Sequence, residues 1–419
     1  MAIRPILLCL LGLSLASTIP IKESINDKLN DVTFLTSLSY LPSEFNKRIL
    51  HSPFSHQMST AMVNDAAGGD LSWLLTKMSF EGIPKEEVSA WFKDKIAALT
   101  KADSPISTAS AIYVENTLPI YDEYLANLRT NYQAKVEKAD FRNHLEEERQ
   151  RMIKFFNEST EGHLHTLLPK MQLDWRSDSI LAEVVIGNAI FMNVTLEADL
   201  NLRDANMTFH KKYLNPLPLW VEALNGPRSG LPNPLPLWVE ALTGIHSGLL
   251  YQDEHISFVE IPFKQQGFAF FMIVPSWNTN LRELKVHFRR HMWNNSFSTF
   301  RRSAKKIPSL CVTFPKINLS PLSDFNGHIA HSGHVDAPKD ARDFRGMTPA
   351  DNLAIKPSFH FLKPENGRTS SYSAQSGTAG ESSHLPRGCG DSHGSFIADR
   401  PFIYGISHEG TPIFVGQYD

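Results

Sequence analysis

Phe34, Leu38, Leu41 and Phe45 recur three or four residues apart, so the segment from Asp31 to Ala67 is predicted helical. Within it Ser52-Pro53 restarts a helix with proline in its first turn. Glu86 to Leu99 is a second amphipathic stretch. His144 to His165 is predicted as a charged helix that turns Met152, Ile153, Phe156 and Leu164 inward. Ile112 to Val114 is predicted as a short strand. The pattern then changes. Leu181 to Met192 is a nearly unbroken apolar run, as a strand buried on both faces requires. Ile256–Phe263 and Phe268–Val274 predict a hairpin over Lys264-Gln-Gln-Gly267. Two further apolar strands flank His408-Glu-Gly-Thr-Pro412 between Pro401 and Tyr418. Helices followed by strand-rich sequence predict an α+β fold.

Two segments break the pattern. Asn215 to Leu224 recurs identically as Asn233 to Leu242, within a duplicated stretch spanning 213–249. Solenoids need three or more units, so two copies read as a local duplication in a loop. From Glu365 to Ser395 the chain is rich in Ser, Gly and Thr and nearly free of aliphatics. Such a stretch predicts a long exposed loop of about 365–395, and loops of that length are usually functional or disordered.

The chain's 419 residues suggest two or three domains from length alone. Arg4, the apolar run Ile6–Leu15 and the small pair Ser14 and Ala16 read as a secretion signal spanning 1–16, cleaved after Ala16. The run is about half the roughly 20 residues that a membrane span needs, so no membrane partner is expected. The formal net charge of −3 becomes −4 once Arg4 leaves, too mild to imply a nucleic acid partner. Cys9 leaves with the signal. Cys311 and Cys389 remain, and no required bridge between them is expected, because Cys389 falls in the long loop. Asn157, Asn193, Asn206 and Asn294 begin glycosylation sequons, in keeping with a secreted, extracellular protein. Asn318 begins a fifth, hindered by Pro321.

Catalytic signatures are absent: the chain carries no Gly-x-Ser-x-Gly, no His-Glu-x-x-His and no P-loop, so no enzyme and no cofactor are expected. His328, His331, His334 and Asp336 have a metal-like spacing, but Gly327, Ser332 and Gly333 disfavour a helix there, and no metal is expected. His384, Cys389 and His393 fall in the long loop and make no better ligand set. Arg289-Arg-His291 and the run Arg301 to Lys306 are basic. They read as a solvated face rather than as a sulfated-glycan site.

A set of motifs in fixed order carries more information. Ser52-Pro-Phe-Ser55, Ala67-Gly-Gly69, Thr160-Glu-Gly-His-Leu164 with Leu167-Leu-Pro169, and Asn188-Ala-Ile-Phe191 are followed by Val259-Glu-Ile-Pro-Phe263, Phe271-Met-Ile-Val-Pro275, Asp343-Phe-Arg-Gly-Met347 and Asp399-Arg-Pro-Phe402 with Ile413-Phe-Val-Gly416. From near Phe34 to the end this order resembles the serpin family. The resemblance implies a single domain over 17–419, three β-sheets, eight or nine helices and an exposed reactive-centre loop. It also implies a monomer. Ser52, Ser55 and Asn188 match the region where the family's main sheet opens.

An inhibitory serpin works as a loaded spring: a protease cleaves the loop, and the freed loop inserts as a new strand of the main sheet. The inserted segment must be small and uncharged at alternate positions, because alternate side chains become buried. Here the hinge is expected at Glu365-Asn-Gly367, and the inward set is Arg368, Ser370, Tyr372 and Ala374. Burying an unpaired guanidinium costs several kcal/mol, and Tyr372 overpacks a site shaped for alanine at about 1–3 kcal/mol. Pro357 stands where the family places a histidine that bonds near Asn188, and no tryptophan follows Asn193. The loop is longer than the family's usual length. Its basic site, Arg387-Gly388, is the candidate bond for a trypsin-like serine protease. The expectation is a secreted serpin that is non-inhibitory or weakly inhibitory, a protease substrate or carrier. The alternative is a covalent trap cut near Arg387.

Overall fold

The computed structural model describes residues 24–41, 50–162, 184–194, 196–210, 237–290, 296–317, 343–350, 355–364 and 392–418. Local chemistry sets the helix starts. Helix α1 (Ile25–Tyr40) begins where the Ser24 hydroxyl accepts the Asp27 amide at 3.0 Å. Helix α2 (Pro53–Ala66) begins with Ser52 accepting the Ser55 amide at 3.1 Å and with proline at its first position. Helices α3 (Gly69–Ser79), α4 (Lys85–Leu99), α5 (Asp122–Asn131) and α6 (Leu145–Ser159) follow. Glu146, Glu147 and Glu148 place negative charge at the positive end of α6. Short α7 (Leu196–Asp199), α8 (Leu281–Arg290) and α9 (Phe297–Ser303) complete the described helices.

The described strands form two hydrogen-bonded sheets. The smaller has the order β10-β4-β2-β3, from Ile355–Pro364, Val184–Met192, Ile106–Glu115 and Lys135–Ala139. The larger contains β1 (Leu50–His51), β13 (Thr411–Tyr418), β12 (Phe402–His408), β8 (Phe268–Pro275), β7 (Ile256–Pro262), β6 (Leu237–Gln252), β9 (Lys305–Pro315) and β11 (Gly394–Ile397) in that order. Strand β5 (Arg203–Phe209) pairs with β6 off this path. The 16-residue β6 belongs to two layers. Leu237–Thr243 pair with β5, Ala241–Leu250 pair with β9, and Leu249–Gln252 pair with β7.

Alternation of side chains puts a core on each face of β8. Phe270 and Met272 pack into the main core. Phe271 and Ile273 face a second core made by Phe34, Leu284, Phe288, Phe297 and Phe300 from α1, α8 and α9. A third, smaller core lies under α6 and joins Met152 and Phe156 to Ala111, Tyr113, Val185 and Ala189 of the small sheet.

Two sequence readings change here. The duplicated stretch is not all loop: Leu237–Leu242 of its second copy form the start of β6, with Ala241 and Leu242 buried. The prolines stand at the start of each copy, Pro216 and Pro218 in the first and Pro234 and Pro236 in the second, and signal a turn, but Leu237–Leu242 holds none and can join a ladder. The long loop also ends earlier than residue 395. His393 donates its amide to Ser309 O at 2.8 Å, and Gly394–Ile397 run parallel to β9.

Candidate functional site at the seam between β4 and β10

Strand β4 runs between two layers. On one face Val184, Ile186, Ile190 and Met192 join the main core, and on the other Val185 and Ala189 lie under α6. All nine β4 residues are buried, which explains the unbroken apolar run in sequence. Asn188 is the polar exception. It is fully buried, donates through Nδ2 to Ser59 Oγ of α2 and reaches Ser55 O at 3.5 Å. Its Oδ1 is buried with no partner among the described residues. A buried amide held to helix α2 ties the sheet to the helix at mid-strand. Ser52 caps α2 and Ser55 lies in its first turn. Asn188 thus meets the backbone of Ser55 in the helix that Ser52 caps, and Ser59, absent from the sequence reading, supplies the side-chain contact.

The opposite face is closed by α6. Gly187 is the reason the helix fits: a Cβ there would sit 2.5 Å from Phe156 Cζ. Beside it the Tyr113 ring is buried beneath α6, with the Arg151 guanidinium 5.9 Å from its centroid. Burial, followed by the Glu137 charge, pushes the Tyr113 hydroxyl well above its ordinary range.

Strand β10 pairs directly with β4, in parallel, from Ile355 opposite Val184 to Pro364 opposite Met192. The register shifts between Lys356 and Phe359, which places His360 opposite Asn188. This corrects the assignment of Pro357 to the histidine position. Pro357 itself lies within the shifted stretch, and from Phe359 to Pro364 the ladder runs without a break. The absence of that histidine is therefore no argument against a family-type seam.

Glu365, Gly367, Arg368, Ser370, Tyr372, Arg387 and Gly388 lie outside the described residues. Their anchor points do not. The chain leaves the small sheet at Pro364, level with the end of β4, and rejoins the large sheet beside β9. At that second anchor the expectation for the cysteines changes. Cys311 of β9, 1% exposed and facing Ser395 across the ladder, is disulfide-bonded. Its partner is outside the described residues, where the chain's other two cysteines fall.

Among the sequons, Asn206 and Asn193 are exposed. Asn157 sits in the last turn of α6 with its Oδ1 buried and unpartnered among the described residues. Asn294 is outside the described set, as are the spaced histidines at 328–334. Two members of the basic run are paired with acids. Arg301 Nε bonds both carboxylate oxygens of buried Glu260 at 2.9 Å, and Arg302 reaches Asp27 at 2.8 Å.

Comparison with known proteins matches this architecture. The family model described as Serpin (serine protease inhibitor) matches residues 30–216 and 243–419, resuming just after the second copy of the duplicated decapeptide. Ovalbumin-related protein Y of Gallus gallus is 21% identical over 394 residues, covering 89% of this chain and 93% of that protein. Leukocyte elastase inhibitor of Sus scrofa is 21% identical over 383 residues, covering 88% and 92%. Among solved structures, human thyroxine-binding globulin superposes with a TM-score of 0.62 at 15% identity, covering 94% of this chain and 98% of that one. The motif order, the sheet topology and the family match over most of the chain agree: this chain belongs to the serpin family.

Proposed function

We propose that this chain is a secreted serpin that acts as a protease substrate or as a carrier in an extracellular fluid, and not as an efficient protease trap. The sequence of the hinge carries the reading. An inserted strand would have to part β4 from β10 and pair antiparallel with both, exchanging one ladder for two. That gain drives the spring only if the inserted residues fit the space between α2 and α6. Arg368 brings a guanidinium to this dry layer at several kcal/mol, and Tyr372 adds about 1–3 kcal/mol of overpacking. Arg368 enters first and can reach water at the end of the sheet, so slow insertion is the expected outcome. A slow spring lets the acyl-enzyme hydrolyse. Relatives support both carriage and inhibition as activities of this fold: one solved neighbour is named for binding thyroxine, one relative for inhibiting elastase.

The test is incubation with trypsin-like and chymotrypsin-like proteases. A substrate gives chain cut near Arg387, active free protease and little gain in melting temperature. A second reading, covalent inhibition through Arg387-Gly388, is favoured by the seam itself, which is closed and has Asn188 tied to α2 with His360 opposite it. An SDS-stable complex at near one-to-one stoichiometry establishes that reading and removes the first.

A further inference from the structure

Trp238 is the second residue of β6 and is 53% exposed, with no ring or cation partner among the described residues. An exposed tryptophan on a strand face is a ready platform for a flat, partly apolar ligand. The register says what lies next to it. Thr208 of β5 stands directly opposite Trp238, and Asn206 stands opposite Glu240. Directly opposed residues of an antiparallel pair project to the same side, as do residues two apart on one strand. Asn206, Thr208, Trp238 and Glu240 therefore share one face. Burial agrees: Asn206, Trp238 and Glu240 are exposed and Thr208 is half-exposed, while Met207 and Phe209 between them are buried. Asn206-Met207-Thr208 is a complete sequon held in an extended strand. The Asn206–Trp238 diagonal is about 7–8 Å, within reach of a large ring. Among the described residues strand β5 pairs with no strand other than β6.

The geometry points to Asn206 as an N-glycosylation site whose first N-acetylglucosamine lies against the exposed face of Trp238. This rests on the reading that the chain is secreted. The donor is a lipid-diphosphate-linked oligosaccharide. The Asn206 Nδ2 bonds the anomeric carbon, the carbon–oxygen bond to diphosphate breaks, the diphosphate lipid leaves, and the Nδ2 proton passes to the transferase. The sugar's apolar ring face then covers indole that is otherwise wet. Its polar edge meets Glu240 and the Lys316–Asp204 ion pair of 2.9 Å, beside it on the sheet.

The experiment is expression of the full chain in cultured mammalian cells, once with its own N-terminus and once behind a heterologous secretion signal. The Asn206 peptide is then analysed by mass spectrometry before and after peptide-N-glycosidase. Modified Asn206 is expected. If only the heterologous signal yields it, the secretion reading fails and this one stands; unmodified Asn206 behind the heterologous signal sinks the proposal. The second measurement is the rate at which the glycosidase releases the glycan from native protein. Trp238→Ala should speed release about 2- to 12-fold, the range an aromatic contact is worth, and Trp238→Phe should restore most of the protection. Equal release rates for the parent and Trp238→Ala overturn the seating on the ring.

Discussion

Gly187→Ala places a methyl group where the ring of Phe156 now sits. The two nearest distances, 2.5 Å to Cζ and 2.8 Å to Cε2, are too short for any carbon pair, so ring or strand must move. Neither moves freely. Phe156 is 3% exposed and packs in the core with Met152, Tyr113 and Ala189, and β4 is bonded on both edges. Overpacking of this kind costs about 1–3 kcal/mol, and the lost backbone freedom of the unfolded glycine returns about 0.4–1 kcal/mol. A net loss of about 1–2 kcal/mol is expected. Phe156→Ala alone removes a buried ring and should cost about 3–5 kcal/mol. In the double variant the clash is gone and the methyl group fills part of the cavity. The double variant should therefore lose less than the sum of the single losses, by about 1–2 kcal/mol of coupling.

Guanidinium unfolding followed by far-ultraviolet circular dichroism measures the three losses. A companion assay of cleaved protein asks whether loosening α6 raises the fraction that inserts its loop. Strict additivity of the two substitutions would refute the packing argument, as would a Gly187→Ala protein more stable than the parent.

Other expectations follow from the same contacts. Arg368→Thr with Tyr372→Ala should raise the melting temperature of the cleaved form above that of the cleaved parent; no change removes the hinge as the block. Arg301→Ala strands the buried Glu260 carboxylate. It should destabilise by the lower end of about 3–5 kcal/mol, more than a Glu260→Gln, Arg301→Met double variant, read by denaturant midpoint. His408 is held neutral mainly by burial, opposed by Glu409 and reinforced by Lys95 and Lys101, so its folded pKa lies below the ordinary 6.5. The unfolded chain then binds the proton more tightly. The stability it contributes is complete above pH 6.5 and falls as pH drops toward the folded value, and His408→Gln should flatten that fall in a melting-temperature series from pH 7.5 to 5. Peptide mapping without reductant should recover Cys311 in a linked peptide, and Cys311→Ala should lower the melting temperature; a free Cys311 thiol in secreted protein contradicts the bond.

What the sequence made legible, and what it did not, follows the range of the interactions. Ser52-Pro53 marks the start of α2 because a cap and a first-turn proline act within four residues. The β7–β8 hairpin was readable because Gly267, at φ +84°, turns the chain between two apolar runs. Helices α3 and α5 escaped the reading: α3 leaves Trp73, Leu74 and Met78 exposed beside buried Leu71 and Leu75, which blurs its periodicity. The seam is the opposite case. Asn188 and Ser59 are 129 residues apart, and no local pattern pairs them; the family motifs quoted stop at Ser55, short of Ser59. The histidine position shows the remaining limit. A motif count transfers a residue along the chain, but a ladder is set by hydrogen bonds, and here those bonds put His360, three residues beyond Pro357, opposite Asn188. The same reasoning bears on the hinge. The inward set beginning at Arg368 was counted from Gly367, and a strand that slips by one residue exchanges its buried and exposed faces. The Arg368 and Tyr372 variants therefore need Thr369 and Ser371 as controls. If those two neighbours, and not Arg368 and Tyr372, govern insertion, the loop enters in the other register and the guanidinium points to solvent.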